Sequence, residues 1–274
     1  MDFIELLKVI FLGLVQGITE WLPVSSTGHM ILVDELLAFS YSPAFREVFF
    51  VVIQFGSILA VVFLFWNKIF PITLEDTLKI DLDKIQLWVK IAVACLPAAV
   101  IGLLFDEVLD ELFFNYQTVA LMLILHGIIF IVVENRNQQR QPKINDLTQI
   151  TYQAAIMIGI FQLLALLPGT SRSGATIIGA MLIGSSRHVA SEFTFFLAIP
   201  VMFGASLLKI ARIGLAFTTS EWLTLGVGTV TAFMISIITI KFLLNYIKRN
   251  DFKPFGYYRI ILGIIVIAYF HFIS

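Results

Sequence analysis

Cysteine is all but missing from this chain. Cys95 is the only one among 274 residues and lies inside an apolar run, so no disulfide framework and no cysteine-based metal site can be assembled. A buried, inert thiol is the expectation. Charge is nearly as scarce: Asp, Glu, Lys and Arg make up 14% of the residues, where a soluble protein of this length carries about 25%. The formal net charge of -1 offers no basic surface to a nucleic acid. A secretory signal is lacking too. Ile4 to Leu14 is apolar and Lys8 is basic, but Asp2 and Glu5 spoil a positive n-region and no small-residue cleavage site follows, so the segment is read as mature protein.

Apolar residues, 26 Phe among them, fill 59% of the sequence and come in runs. Val48 to Trp66, Trp88 to Phe105, Thr118 to Val133, Glu192 to Leu208, Trp222 to Ile240 and Tyr257 to Ile273 each approach the ~20 residues that cross hydrocarbon as a helix. Six spans are therefore expected. Three of their connections carry ten basic residues, Lys68, Lys79, Lys84, Arg136, Arg140, Lys143, Lys241, Lys248, Arg249 and Lys253. The alternate connections hold Arg46, Lys209 and Arg212, and the second loop is purely acidic, with Asp106, Glu107, Asp110 and Glu111. The positive-inside rule puts the basic loops in the cytoplasm and the C-terminus outside. Asp76, Asp81 and Asp83 do not alter that bias, and Trp66, Trp88, Trp222, Tyr257 and Tyr258 fall at span ends, where interfacial aromatics belong.

Sliding the chain by 146 residues sets Gly13–Gln16 on Gly159–Gln162, Ser25 on Ser171, Gly28 on Gly174, Phe49 and Phe50 on Phe195 and Phe196, and Ile53 on Ile199, without a gap. Each aligned segment is an apolar stretch broken by Pro, Ser and Gly, at Pro23 to Gly28 and at Pro168 to Gly174. Backbone freed at membrane depth is tolerated only where protein or a water-filled cavity satisfies it. The expected fold is thus an all-α integral membrane protein with an inverted-topology repeat, six transmembrane helices plus two re-entrant helix pairs. One membrane domain, 1–274, divides into a first repeat over 1–134 with its re-entrant pair at about 3–37, a cytoplasmic linker at 135–150, and a second repeat over 151–274 with its pair at about 152–184.

The two broken segments hold the polar chemistry. Gln16, Glu20, Ser25, Ser26, Thr27 and His29 crowd one of them, and Gln16 and Glu20, four apart, share a helix face. A carboxylate in a membrane segment is costly and usually functional, although a helix-to-helix hydrogen bond is the plainer use. His29, three residues from Ser26 and nine from Glu20, brings base, nucleophile and cation ligand together, while the hydroxyls could instead cap the second short helix. In the other segment Arg172, the only basic residue between Lys143 and Arg187, suits phosphate oxygens, with Ser171, Ser173, Thr176 and the backbone N–H groups after Gly169 completing a cradle. The competing role is a structural pairing with Glu20 or Glu192.

Q-G-I-T-E-W-L-P-V-S-S-T-G-H at Gln16 to His29 and P-G-T-S-R-S-G-A-T at Pro168 to Thr176 closely resemble the undecaprenyl-diphosphate phosphatase family associated with bacitracin resistance. The likeness spans essentially the whole chain, including Phe49 to Ala60 and Ser191 to Phe195. The resemblance implies a multi-pass protein of the bacterial cell membrane that removes the terminal phosphate of undecaprenyl diphosphate for peptidoglycan synthesis; the spans and loops put the mouth of the site at the outer face, and a homodimer is left open. It implies Glu20 as ligand of Mg2+ or Ca2+ or as proton carrier. It assigns the nucleophile to Ser26 or His29, with Ser26 activated by His29 preferred, and places the diphosphate on Arg172, Ser171, Ser173 and Thr176, with Gln16, Ser25 and Thr27 alongside. The family's first motif begins with Glu or Gln, and Gln16 removes one metal ligand. Two rivals stand: a phosphatidic-acid type phosphatase, which needs a later His and Asp where this chain has His188 and Glu192, and a lipid transporter or flippase on the same inverted repeat.

Overall fold

A computed structural model describes residues 2–37, 39, 41–74, 78–113, 115–138, 140–214 and 216–272. Two short helices lead, α1 (Phe3–Thr19) and α2 (Ser26–Leu37), followed by the long α3 (Pro43–Ile69), α4 (Leu82–Phe113) and α5 (Tyr116–Asn137). A second short pair, α6 (Tyr152–Gln162) and α7 (Arg172–Ile183), precedes α8 (Arg187–Ile213), α9 (Thr219–Tyr246) and α10 (Lys253–Phe272). Six helices, α3, α4, α5, α8, α9 and α10, are long and apolar enough to cross a membrane. The chain is a multi-pass membrane protein and nearly all-helical.

Two sequence expectations need correction. The fold is not purely all-α: in the first basic connection strands β1 (Ile72–Leu74) and β2 (Leu78–Ile80) form an antiparallel hairpin with Ile72 opposite Ile80. The tip containing Asp76 lies outside the described residues. The acidic second loop is in fact helix, because α4 runs on to Phe113 and only positions 114 and 115 intervene before α5, with Asn115 as its N-cap. Acidic residues from 106 onward are unfavourable in hydrocarbon, but they do not end the backbone ladder, since Asp and Glu carry only a modest helix penalty. The side chains of Asp106, Glu107 and Asp110 lie outside the described set.

Helix starts are marked by the residues that usually mark them. Ser42, Asn115, Ser186 and Thr218 each accept a hydrogen bond from a backbone N–H three residues on, and Pro43 opens α3. Packing is tight where glycine lets backbones meet. A Cβ on Gly13 would fall 2.8 Å from Gly228 O, and one on Gly17 would fall 2.9 Å from Ala232 O, so α1 lies parallel against α9. Gly159 brings α6 equally close to Ala94 of α4. At the end bearing the basic connections, Arg187 grips the fully buried Glu134, which also accepts the Phe252 N–H at 2.9 Å, and Lys68 meets Glu192 at 2.7 Å.

Candidate functional site

The site is built from the two turns that interrupt the short helices. Ser25 (φ 75°) and Ser171 (φ 70°), each just before a helix start, are the only non-glycine residues with positive φ among the described residues. A non-glycine residue there costs on the order of 1–3 kcal/mol and persists only where surroundings enforce it. Both serines act as caps: Ser25 Oγ accepts from Gly28 N–H at 3.3 Å and Ser171 Oγ from Gly174 N–H at 3.2 Å. The two turns thereby aim α2 and α7 with their N-termini at common ground.

That ground is a cavity of about 160 Å³. Of the sequence-predicted residues, Glu20, Ser26, Thr27, Ser171, Arg172 and Ser173 line it, while Gln16, Ser25, His29 and Thr176 stand behind or beside it. Glu20, 6% exposed, is its hub. One carboxylate oxygen, Oε1, accepts from Arg172 Nη2 at 3.0 Å. The other, Oε2, accepts from Ser26 Oγ at 2.9 Å and from the Gln16 amide at 3.1 Å. Arg172 Nη1 donates to the Thr194 carbonyl at 3.1 Å, and Ser173 Oγ donates to the Glu20 carbonyl at 3.2 Å. Thr176 Oγ1 donates back to the Arg172 and Ser173 carbonyls at 2.9 and 3.3 Å and accepts from Thr194 Oγ1. Its place is in the frame of α7 rather than in the cavity.

His29 is turned elsewhere. Its Nδ1 lies 2.7 Å from the Ser25 carbonyl and its Nε2 2.6 Å from Tyr258 Oη. A carbonyl only accepts, so Nδ1 carries the proton and Nε2 receives the phenol hydrogen. Neither ring nitrogen is bonded to Ser26, whose hydroxyl partner is Glu20. Glu192, the other carboxylate weighed for Arg172, pairs with Lys68 and with His188, at 3.4 Å, away from this cavity.

Three residues escaped the sequence reading. Gln54 of α3 lines the cavity with Met202 of α8, and it is a polar side chain in the middle of an apolar run. Tyr258, expected as an interfacial aromatic, is instead the partner of His29. Arg259 is the only Asp, Glu, Lys or Arg in the last expected span and is fully buried. The rule that flagged Glu20 and Arg172 applies to it equally.

Among the described residues no three His, Cys, Asp or Glu side chains converge. One carboxylate, Glu20, with the hydroxyls of Ser26 and Ser173, suits a hard cation that takes its remaining ligands from phosphate oxygens and water, as Mg2+ does, rather than an all-protein cage.

The family model described as "Bacitracin resistance protein BacA" matches residues 9–265. A curated undecaprenyl-diphosphatase of Desulfitobacterium hafniense is 60% identical over 271 residues, covering 98% of each chain. One of Lachnoclostridium phytofermentans is 62% identical over 270 residues, again covering 98% of each. One of Enterococcus faecalis is 58% identical over 269 residues, covering 97% of this chain and 98% of its own.

Proposed function

The chain belongs to the bacitracin resistance protein family, and from that membership we propose that it is an undecaprenyl-diphosphate phosphatase. It is a membrane hydrolase that converts undecaprenyl diphosphate to undecaprenyl phosphate and inorganic phosphate. Its product is the carrier lipid of cell-wall synthesis, and removal of the diphosphate takes away what bacitracin sequesters. The observation that carries the site assignment is the single carboxylate of Glu20 joining a serine hydroxyl to a guanidinium in one cavity.

In that arrangement Ser26 is the nucleophile and Glu20 its base. Ser26 Oγ attacks the terminal phosphorus as its proton passes to Glu20 Oε2, and the bond from phosphorus to the bridging oxygen breaks. Undecaprenyl phosphate leaves. Water then cleaves the Ser26 phosphoester, yielding inorganic phosphate and restoring the hydroxyl. Arg172, permanently charged, holds the phosphoryl oxygens, and donors aimed at developing charge contribute ~10²–10³ in rate each. Ser171, Ser173 and Thr27 line the same wall, Gln16 orients Glu20, and Ser25, His29 and Thr176 hold the turns. A divalent cation, Mg2+ or Ca2+, would be held by Glu20 and would neutralise phosphate charge.

The re-entrant, inverted architecture belongs to the same proposal. The repeats are 1–134 and 151–274, joined by 135–150. Support comes from the twin positive-φ serines 146 positions apart, from the short pairs α1–α2 and α6–α7, and from the reciprocal packing of α1 on α9 and α6 on α4. The site opens outward in this reading, because Gln54 and Met202 lie nearer the ends of α3 and α8 that are away from the basic connections. Purified protein should release phosphate from undecaprenyl diphosphate, and Glu20→Ala and Arg172→Ala should lose that activity while remaining folded. Lipid flux without hydrolysis would favour the flippase instead.

A further inference from the structure

Three backbone carbonyls that the two turns leave without helical partners converge on one side chain from the far end of the sequence. Arg259 of α10, with no solvent exposure, donates to Thr170 O at 2.7 Å, Gly169 O at 3.0 Å and Pro23 O at 3.2 Å, and its Nη2 comes within 3.5 Å of Met122 O. No carboxylate lies within ion-pair distance of it among the described residues. Pro23 is three residues before Ser26, and Thr170 is two before Arg172. The guanidinium therefore ties the turn carrying the nucleophile to the turn carrying the phosphate-binding cation.

The surrounding sequence makes room for that bridge. Gly127 of α5 and Gly256 of α10 meet backbone to backbone, since a Cβ on Gly256 would sit 2.8 Å from Gly127 O. Gly174 leaves space for the guanidinium itself, for its Cβ would lie 3.1 Å from Arg259 Nη1. A planar fork of five donors can serve carbonyls arriving from separate directions, which a lysine ammonium on its single nitrogen cannot do in the same geometry. Carbonyls at membrane depth need such donors. The neighbouring Tyr258 bonds His29 of α2, so one turn of α10 touches both halves of the site.

We propose that Arg259 is a positioning residue for phosphoryl transfer: by binding carbonyls of both turns it sets the placement of Ser26 and Glu20 against Arg172. The inference rests on the phosphatase reading above. It is tested with the full chain in detergent, measuring kcat and KM for undecaprenyl diphosphate and the thermal midpoint, for wild type and Arg259→Lys, each also in a Glu20→Gln background. Misplacement of reacting groups by ~1 Å can cost 10²-fold, so Arg259→Lys should lower kcat at least tenfold, with KM within about threefold and the protein folded. In Glu20→Gln the same change should cost less than about twofold, because groups that act as a unit are not additive. A loss of equal size in both backgrounds, or a kcat within twofold of wild type, overturns the proposal and leaves the phosphatase reading standing. A wild type that releases no phosphate overturns both. Should Arg259→Lys fail to fold, Gly256→Ala decides: it keeps the guanidinium but wedges α10 from α5, and a folded Gly256→Ala with wild-type kcat is fatal to the idea.

Discussion

The residue that organises this site is Glu20, and the identity of its partners decides which of its neighbours does chemistry. Ser26 is bonded to the carboxylate, whereas His29 spends both ring nitrogens on the Ser25 carbonyl and Tyr258. Ser26→Ala should therefore abolish phosphate release, while His29→Ala should retain activity reduced by roughly tenfold, since general-base loss typically costs 10²–10⁴ and a positioning bond less. Equal and complete loss in His29→Ala would return the histidine to the centre of the mechanism. Chelation is the companion test. With one carboxylate available, a divalent cation is weakly held in the absence of substrate, so EDTA should abolish turnover at once and added Mg2+ should restore it. Turnover that persists in EDTA would remove the cation from the mechanism. The polar cluster itself was readable from residue types in an apolar context. Which serines capped a helix and which faced the cavity was not, Ser171 doing both, because that depends on the φ of a single residue before each helix.

At the scale of elements, α1 and α6 are held by glycine contacts together with buried apolar side chains such as Leu12 and Ile158. Gly17 is one such contact on α1: a side chain there meets Ile235 Cβ at 2.8 Å and the Ala232 carbonyl at 2.9 Å, and a backbone oxygen cannot swing away. Gly17→Val should lower stability by about 1–3 kcal/mol, the usual cost of overpacking, seen as a lower unfolding midpoint in detergent. An unchanged midpoint would mean that α1 does not rest on α9 as described. The long spans were legible from hydropathy alone, and all six appear, each extended beyond its apolar run by polar turns. The helical course of 106–111 was not legible, because charge reports where the hydrocarbon ends and not where hydrogen bonding ends.

For the whole molecule, the unequal distribution of Lys and Arg predicts an orientation that labelling can check. In a Cys95→Ala background, Leu109→Cys should react with an impermeant thiol reagent from outside and Arg140→Cys should not. The reverse pattern would invert the molecule and turn the cavity toward the cytoplasm. Composition, apolar runs and two motifs were enough to determine a multi-pass membrane protein, its family resemblance and the two segments that meet at the cavity, because burial in lipid penalises each charge locally and makes every retained one conspicuous. Only the tertiary structure decided the pairings: Ser26 with Glu20, Glu20 with Arg172 across 152 positions, His29 with Tyr258, and Arg259 with the carbonyls of both turns. Apart from Ser26 and Glu20, six residues apart, those partners are distant in sequence, and none follows a helical or strand period. Arg259 takes the backbone carbonyls that the two breaks leave unsatisfied, and the side-chain pairs meet only where the helices and turns pack together.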